Sequence, residues 1–190
     1  MNVPIILASS SPRRRELLKG LGLQFETIPA DVDETRLAAE WPQALVKRLS
    51  VIKAKAVAEK YPNSLIIAAD TTVALGQKIL EKPKDLAENK QFIQRLAGKT
   101  HEVYTGHTLI YKDRLESVVK CSQVTFRALS EDEIDRYVET GEGLDKAGGY
   151  AIQGYGAALI PHIKGCYFNV VGLSVATIVE MASELGVALL

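Results

Sequence analysis

The spacing of apolar and polar positions predicts strands and helices in mixed order along the chain. Residues 3–8 form a short apolar run typical of a strand, and Ser11 before Pro12 is typical of a helix start. Apolar residues recur at helical spacing within residues 42–61. The elements expected in the first half are a strand at 3–8, a helix from Ser11 to Gly20 or Gly22, a strand at 24–29, a loop at 30–40, a helix at 42–61, a strand at 65–69 and a helix at 85–97.

The second half carries stronger local signals. Residues 100–111 and 115–127 are rich in Val, Thr and Tyr, which favour strands. Ser130 and Glu133 form a capping box, so a helix is expected from there to about Thr140. Further strands are expected at 149–153, 157–163 and 166–171, and a last helix at 174–186. This order predicts an α/β or mixed α+β fold around a long mixed sheet, as one domain over residues 1–190.

Composition and charge exclude several classes of partner. Lys and Arg balance Asp and Glu at 23 each, so no binding to long nucleic acid or to an anionic membrane is expected. Cys121 and Cys166 are too few for a disulfide framework, and we expect both to be packed thiols. No apolar stretch is long enough to span a bilayer and the start does not resemble a signal peptide, so we expect a cytoplasmic protein.

Serines and arginines follow the first predicted strand, in the run Ser9-Ser10-Ser11-Pro12-Arg13-Arg14-Arg15. A helix N-terminus offers unpaired N–H groups to an anion, and arginine adds a planar fork suited to phosphate oxygens. The run has two interpretations, an anion site or an ordinary capped helix with a solvated basic turn. Because it contains no glycine, it is not a glycine-rich phosphate loop.

Acidic residues stand at two places of interest. Asp31, Asp33 and Glu34 lie in the predicted polar loop, where alternating carboxylates could hold a hard divalent cation or simply be solvated. Asp70 is expected at the end of the apolar strand 65–69, where a carboxylate is costly unless it meets water, a cation or a donor. Ligands commonly bind beyond the carboxyl ends of strands, which favours a functional Asp70 over a cap on the following turn.

Two lysines and a glycine-rich stretch complete the candidates. Lys53 falls inside the apolar arc of the helix at 42–61, so it either snorkels to solvent or points into a cleft. Lys82 precedes Pro83 and by itself indicates nothing. Small residues crowd residues 144–156, where they permit close approach of a ligand, and a turn without any ligand is the alternative.

Taken together, these segments resemble the Maf family, which includes proteins described as septum-formation inhibitors. A single matching segment would be weak, but the set follows the family's order over nearly the whole chain. The matching segments are Leu7-Ala8-Ser9-Ser10-Ser11-Pro12-Arg13-Arg14, Val32-Asp33-Glu34-Thr35, Lys53-Ala54-Lys55-Ala56, Ala69-Asp70-Thr71, Glu81-Lys82-Pro83, Asp145-Lys146-Ala147-Gly148 and residues 165–173.

The resemblance implies a fold similar to that of inosine-triphosphate pyrophosphatases, with an elongated mixed sheet, flanking helices and two lobes around a cleft. It also implies hydrolysis of nucleoside triphosphates to the monophosphate and pyrophosphate, a divalent cation (Mg²⁺ or Mn²⁺) and a homodimer. By carry-over, Asp70 is the proton acceptor and Glu34 a metal ligand or second acid, with Asp70 as a metal ligand as well. Ser9, Arg13, Lys53 and Lys82 then hold the phosphates, Lys82 with a catalytic part as well.

Substrate choice follows from the same resemblance. Arg13, Thr71 and Gln153 stand where the family's uridine/thymidine-triphosphate group differs from its 7-methylguanosine-triphosphate group, in which Trp, Gln and Glu tend to stand. A glutamine amide offers a donor and an acceptor, which match O4 and N3–H of uracil or thymine. The implied substrates are dTTP and UTP, with modified pyrimidine triphosphates as further candidates for a housecleaning hydrolase.

Two alternatives stay open at the level of sequence. The main one is a non-catalytic nucleotide-binding regulator of cell division or septum formation, which would not need Asp70 as a base. The second is a purine-directed or housecleaning pyrophosphatase that uses the same site. Pyrophosphate release from a panel of triphosphates distinguishes the three.

Overall fold

The computed structural model describes residues 3–190 and shows a mixed α/β fold; Met1 and Asn2 lie outside the described residues. Short 3₁₀ helices interrupt the last third of the chain. The elements in order are β1 (Ile5–Leu7), α1 (Pro12–Gly20), β2 (Glu26–Thr27), α2 (Pro42–Ala58), β3 (Leu65–Leu75), β4 (Lys78–Leu80), α3 (Leu86–Leu96), β5 (Thr100–Tyr111), β6 (Arg114–Thr125), α4 (Glu131–Glu139), 3₁₀ helices at Ala147–Gly149 and Gly154–Leu159, β7 (His162–Lys164), α5 (Tyr167–Val171) and α6 (Val175–Glu184).

The strands form one seven-stranded sheet. Their order is β2-β1-β3-β5-β6-β7, with β4 paired to β3. β1 runs parallel to β2 and β3, whereas β4 is antiparallel to β3 and β7 is antiparallel to β6. The sheet is therefore mixed and accompanied by helices, which confirms the predicted fold class.

The chain divides into two compact units. The first comprises the described residues up to Asp70, together with Thr105–Lys120 and Gly172–Leu190. The second comprises Thr71–Tyr104 and Cys121–Val171. The expectation of one domain over the whole chain stays a prediction.

In the first unit, alternate side chains of β3 pack into two different apolar clusters. The odd-numbered residues of 65–69 pack with side chains of α1 and α6. Ile66 and Ala68 pack with Ala54 and Val57 of α2. Successive side chains of a strand point to opposite faces, so Asp70 continues the face that α2 covers.

The second unit has its own core between the sheet and helices α3 and α4. His101, Phe126 and Tyr150 stack edge to face there, with ring centroids 4.8 to 5.3 Å apart. The His101 Nε2 and the Tyr150 hydroxyl share a hydrogen bond of 2.7 Å. This bond pairs the Tyr150 hydroxyl with one nitrogen of the His101 ring, whereas the buried His101 Nδ1 has no hydrogen-bond partner among residues 3–190.

Most predicted elements of the two units are present. Ser11 caps α1 by accepting a hydrogen bond from the Arg14 N–H, and Ser130 and Glu133 form the capping box of α4. Gly98 follows α3 with φ of +69°, the left-handed conformation that favours glycine at a helix end. β5 and β6 lie within two residues of the predicted bounds.

The predicted end of the strand at Asp70 is wrong. Asp70 does not end its strand but lies within β3, which continues to Leu75. The β-branched residues Thr71, Thr72 and Val73 favour continuation, and β4, which was not predicted, pairs with Val73–Leu75.

The strands expected at 149–153 and 166–171 are also absent, and the run 157–163 gives only β7. Gly148, Gly149 and Gly154 have φ between +71° and +75°, which breaks the extended backbone into 3₁₀ turns. Residues 167–171 form the short helix α5.

The thiols and the helices settle two smaller points. Within residues 3–190 neither cysteine forms a disulfide; Cys121 is exposed and Cys166 half-buried, so the prediction of packed thiols is wrong for Cys121. Across the described part of the chain, every helix is too short or too polar to cross a bilayer.

Candidate active site

A lysine shared by two carboxylates forms the centre of the candidate site. The Lys53 Nζ donates hydrogen bonds to Glu34 Oε2 and to Asp70 Oδ1, each at 2.7 Å. Lys53 and Asp70 are buried, with 8% and 9% of their surface exposed, whereas Glu34 is exposed. The snorkelling interpretation of Lys53 is therefore wrong, because its ammonium points inward to an acid.

The fold explains why these side chains meet. Lys53 lies beside Ala54 and one turn before Val57, the α2 residues that pack on the β3 face of Ile66 and Ala68. Asp70 is the next residue on that face. A buried charge without a partner is unfavourable, so the buried Lys53 and Asp70 stabilise each other as a pair.

The loop that carries Glu34 is held by a residue that the sequence did not single out. Arg48 of α2 donates from Nε and Nη2 to the two oxygens of Glu40, at 2.7 Å each. Its Nη2 also donates to the Thr35 carbonyl oxygen at 3.1 Å. The hydrogen-bonded pair raises the pKa of Arg48 and lowers the pKa of Glu40. Arg48 thereby ties Thr35, the neighbour of Glu34, and Glu40 near the loop's end to the helix that carries Lys53.

The other acids of this loop have different roles. Asp33 accepts a hydrogen bond from the Thr35 N–H at 2.9 Å, and the Thr35 hydrogen bonds lower the pKa of Asp33. Asp31 is exposed. Glu34 is thus the acid of the loop that meets Lys53.

Arg14 connects the start of α1 to the backbone beside Asp70. Its Nη1 donates to Ser9 Oγ at 3.2 Å and to the Ala69 carbonyl at 2.8 Å, and its Nε donates to the Gly172 carbonyl at 2.8 Å. Burial lowers the pKa of Arg14, while Asp70 acts in the opposite direction. The sequence does not show which of three adjacent arginines makes these contacts, so the structural role of Arg14 was not predicted.

Ser9 and Arg13 occupy the same helix start. Ser9 is buried, and its Oγ accepts hydrogen bonds from the Ser11 N–H and from Arg14. Arg13 is half-buried. The run therefore forms a capped helix start, with the Ser9 hydroxyl and the Arg14 guanidinium beside the Ala69 carbonyl. The anion site stays a prediction.

Three predicted residues belong to the second unit. Thr71 is half-buried and follows Asp70 in β3, so its side chain points to the opposite face. Lys82 and Gln153 are exposed. Over residues 3–190, neither the Lys82 ammonium nor the Gln153 amide has a hydrogen bond or ion pair, which leaves both groups available to a ligand.

The ligand atoms available at this site indicate which kind of metal ion it could hold. Among the described residues, no three His, Cys, Asp or Glu side chains are grouped as ligands of one ion. Glu34 and Asp70 lie close enough to share one ammonium. Two carboxylates, completed by water and phosphate oxygens, are the usual surroundings of Mg²⁺ at a phosphate site. The donor set fits a cation that binds together with a phosphate ligand.

Comparisons with known families, sequences and structures show which proteins this chain is similar to. The family described as Maf-like protein matches residues 4–185. A protein named dTTP/UTP pyrophosphatase from Bacillus cytotoxicus is 49% identical over 175 residues, 92% of each chain. A protein of the same name from Deinococcus radiodurans is 47% identical over 97% of this chain and 94% of its own. Among solved structures, the Ham1 protein of Staphylococcus aureus aligns with 83% of this chain and 79% of its own, at 13% identity and a TM-score of 0.47.

Proposed function

This chain belongs to the Maf family, and we propose that it hydrolyses dTTP and UTP to the nucleoside monophosphate and pyrophosphate. The observation that carries the proposal is the similarity to relatives named dTTP/UTP pyrophosphatase, at 47% and 49% identity over 97% and 92% of this chain. The buried Lys53–Asp70 pair supports it, because such a pair can take a proton beside a polyanion.

The proposed reaction begins with water. Its oxygen attacks the α-phosphorus, the bond from that phosphorus to the bridging oxygen breaks, and pyrophosphate leaves with the electron pair. Asp70 accepts the proton of the water. Lys53 donates to Oδ1 of Asp70, and no hydrogen bond from residues 3–190 reaches Oδ2, which is therefore the oxygen we assign to the proton.

Positive groups would hold the phosphates. We assign this role to Arg13 and Ser9 at the start of α1, to Lys53, and to the unpaired ammonium of Lys82. A forked guanidinium and point-charge ammonium groups suit phosphate oxygens, and they stabilise charge that develops on the leaving group. Lys82 is counted as catalytic for that reason.

A divalent cation is part of the proposal. Glu34 and Asp70 would hold Mg²⁺ or Mn²⁺, which supplies positive charge to the phosphate oxygens in the transition state. Both carboxylates face one ammonium, that of Lys53. Lys53 thus keeps the carboxylates together and prevents their mutual repulsion.

We assign recognition of the nucleobase to Gln153, and we expect Thr71 and Arg13 to contribute to it. The free Gln153 amide can donate to O4 and accept from N3–H of uracil or thymine. A glutamate at this position would only accept, which penalises the pyrimidine O4.

The proposal extends to the setting of the enzyme. We expect a cytoplasmic homodimer, which light scattering on the purified protein and fractionation of cells test. The regulator alternative is less supported, since the named relatives are pyrophosphatases.

The decisive experiment follows products from a panel of triphosphates with Mg²⁺. We expect UMP and pyrophosphate from UTP, and dTMP and pyrophosphate from dTTP, at rates well above those for ATP and GTP. Addition of EDTA should stop turnover, and excess Mg²⁺ should restore it. Release of UDP and inorganic phosphate would reject the proposed bond, a preference for purines would favour the second alternative, and binding without turnover would favour the regulator.

A further inference from the structure

The segment that carries Gln153 is fixed by side chains at and just after the end of α4. Glu142 lies three residues beyond the last residue of this helix, Glu139. Its Oε1 accepts a hydrogen bond from the Tyr155 N–H and its Oε2 one from the Gly156 N–H, both at 2.9 Å. Both are charge-assisted bonds, which are the stronger class of protein hydrogen bonds.

A second contact holds the segment on the other side of Gln153. The hydroxyl of Tyr137, a buried residue of α4, accepts a hydrogen bond from the Ala151 N–H at 3.3 Å. Burial raises the pKa of Tyr137, and the negative charge of the nearby Glu142 carboxylate raises the pKa further. Tyr137 and Glu142 thus each hold the segment, one on either side of Gln153.

The backbone between these contacts leaves little freedom. Gly154 has φ of +71°, and a Cβ added there would lie 2.1 Å from Glu142 Oε1. A Cβ on Gly156 would lie 1.9 Å from the Ala151 carbonyl oxygen. Glycine is thus needed at both positions to let the segment close against Glu142 and against itself.

Glu142 is itself anchored. Its N–H donates to the Thr140 hydroxyl at 3.2 Å, and its carbonyl oxygen accepts from the Lys146 Nζ at 2.6 Å. Gln153 lies between the two held points, and its side chain is exposed and without a hydrogen bond within residues 3–190. The arrangement therefore fixes the backbone on both sides of a side chain that it leaves free.

We propose that Glu142, supported by Tyr137, is a positioning residue that sets the direction of the Gln153 amide and so determines pyrimidine selectivity. This inference rests on the proposed function, since it assigns the cause of the base preference. A free amide distinguishes bases only if its donor and acceptor are held in a fixed orientation, because a mobile amide adapts to other hydrogen-bonding edges. Loss of Glu142 should therefore lower selectivity.

The test compares kcat/KM for UTP and GTP in the wild type, Glu142→Gln, Gln153→Ala and the double variant. Glu142→Gln places an amide group against two N–H donors, so it removes at least one of the bonds. We expect the UTP/GTP ratio to fall roughly tenfold in Glu142→Gln. In the Gln153→Ala background, Glu142→Gln should lower the ratio no further, since both changes remove one function.

Controls separate positioning from folding. Glu139→Gln neutralises an exposed acid of α4 and should leave the UTP/GTP ratio at the wild-type value. Tyr137→Phe keeps the ring, removes the hydroxyl, and should lower the ratio by a smaller factor, which provides a second variant if Glu142→Gln does not fold. Amide hydrogen exchange at Tyr155 and Gly156 should accelerate in Glu142→Gln.

The outcomes are distinct for the two proposals. A wild type that does not cleave UTP would reject the function, and this inference with it. A wild type selective for UTP, together with a Glu142→Gln variant that keeps the ratio, loses both substrates equally, or adds its effect to that of Gln153→Ala, would overturn the positioning role alone.

Discussion

The two compact units hold their candidate residues in opposite ways. In the first unit, Lys53 and Asp70 are buried and bonded to each other at 2.7 Å. In the second unit, Lys82 and Gln153 are exposed, and neither side chain has a hydrogen bond or ion pair within residues 3–190. The first unit pairs these two charges within the protein, whereas the second presents Lys82 and Gln153 to solvent or a ligand.

The contrast follows from what each task requires. A base must keep its charge and position while water reacts, so a buried carboxylate needs a permanent partner. A group that recognises a substrate must exchange water for the ligand, so a partner within the protein would compete. In the second unit, rigidity comes instead from the backbone, which Glu142 and Tyr137 hold on both sides of Gln153.

Removal of the base should have the largest effect on turnover. Asp70→Asn keeps the size of the side chain and leaves Lys53 paired with Glu34, so the protein should fold. We expect kcat for every substrate to fall by about 10²- to 10⁴-fold, the range for loss of a positioned general base. Pyrophosphate release and circular dichroism measure the two properties. Asp113→Asn, in the exposed turn between β5 and β6, is the matched control; normal turnover by Asp70→Asn would reject the role of Asp70.

The two lysines should differ in their effect on stability. If each lysine contacts phosphate, both Lys53→Ala and Lys82→Ala should lower kcat/KM. The loss should correspond to roughly 1–3 kcal/mol of transition-state stabilisation. Lys53→Ala should also lower the free energy of unfolding by about 3 kcal/mol, because it leaves Asp70 buried without its partner. Lys82→Ala should change stability by less than about 0.5 kcal/mol.

Urea unfolding of both variants at neutral pH provides the measurement. Equal stability of the two would mean that burial and pairing of Lys53 contribute nothing to the fold. Unchanged kinetics of Lys53→Ala would remove it from the phosphate-binding set and leave it a purely structural residue.

A change at Gln153 should alter selectivity and not chemistry. Gln153→Glu replaces a group that donates and accepts with one that only accepts, so UTP and dTTP should lose roughly ten- to hundredfold relative to GTP. Hydrolysis of 7-methyl-GTP should not appear, since stacking on that base needs a Trp at position 13 as well. Gln77→Glu, in the exposed turn between β3 and β4, is the control. A variant that keeps its preference for UTP would contradict the assignment.

The smallest predicted effect concerns a feature that the two units share. His107 of the first unit and His101 of the second are buried, and burial lowers the pKa of each to about 4. The unfolded chain takes up these protons near pH 6.5, so stability is complete above that pH and is lost as the pH falls toward 4. At pH 5.5, each histidine should cost about 1.4 kcal/mol of unfolding free energy.

Unfolding of His101→Gln and His107→Gln as a function of pH tests this effect. Each variant should be less stable than the wild type at pH 7 but should lose less stability between pH 7 and pH 5.5. The same loss in wild type and variants would mean that other groups cause the acid sensitivity.

Sequence patterns were most informative where one local signal decides the structure. The caps at Ser11 and Ser130, the helical spacing of α2 and the strands β5 and β6 depend on neighbouring residues and were predicted. The continuation of β3 past Asp70 depends on pairing with β4, and the turns at Gly148, Gly149 and Gly154 depend on side chains such as Glu142. Such long-range contacts have no local signature.

The candidate site shows the same limit. Lys53, Glu34 and Asp70 could be chosen from the sequence, but the sharing of one ammonium by two acids required the packing of α2 on β3. Arg14, Arg48 and Glu142 were missed because their partners are mainly backbone groups or distant acids. The sequence does not distinguish a charged residue that hydrogen-bonds to the backbone from one that is exposed to solvent.

The most direct test of the account measures kcat/KM for UTP and GTP with the wild type, Asp70→Asn and Gln153→Glu under one set of conditions with Mg²⁺. If Asp70 serves the chemistry and Gln153 the choice of base, Asp70→Asn lowers both values by the same factor and preserves their ratio. Gln153→Glu lowers the value for UTP at least tenfold more than the value for GTP. A changed ratio in Asp70→Asn, or an equal loss for both substrates in Gln153→Glu, would contradict this division of roles.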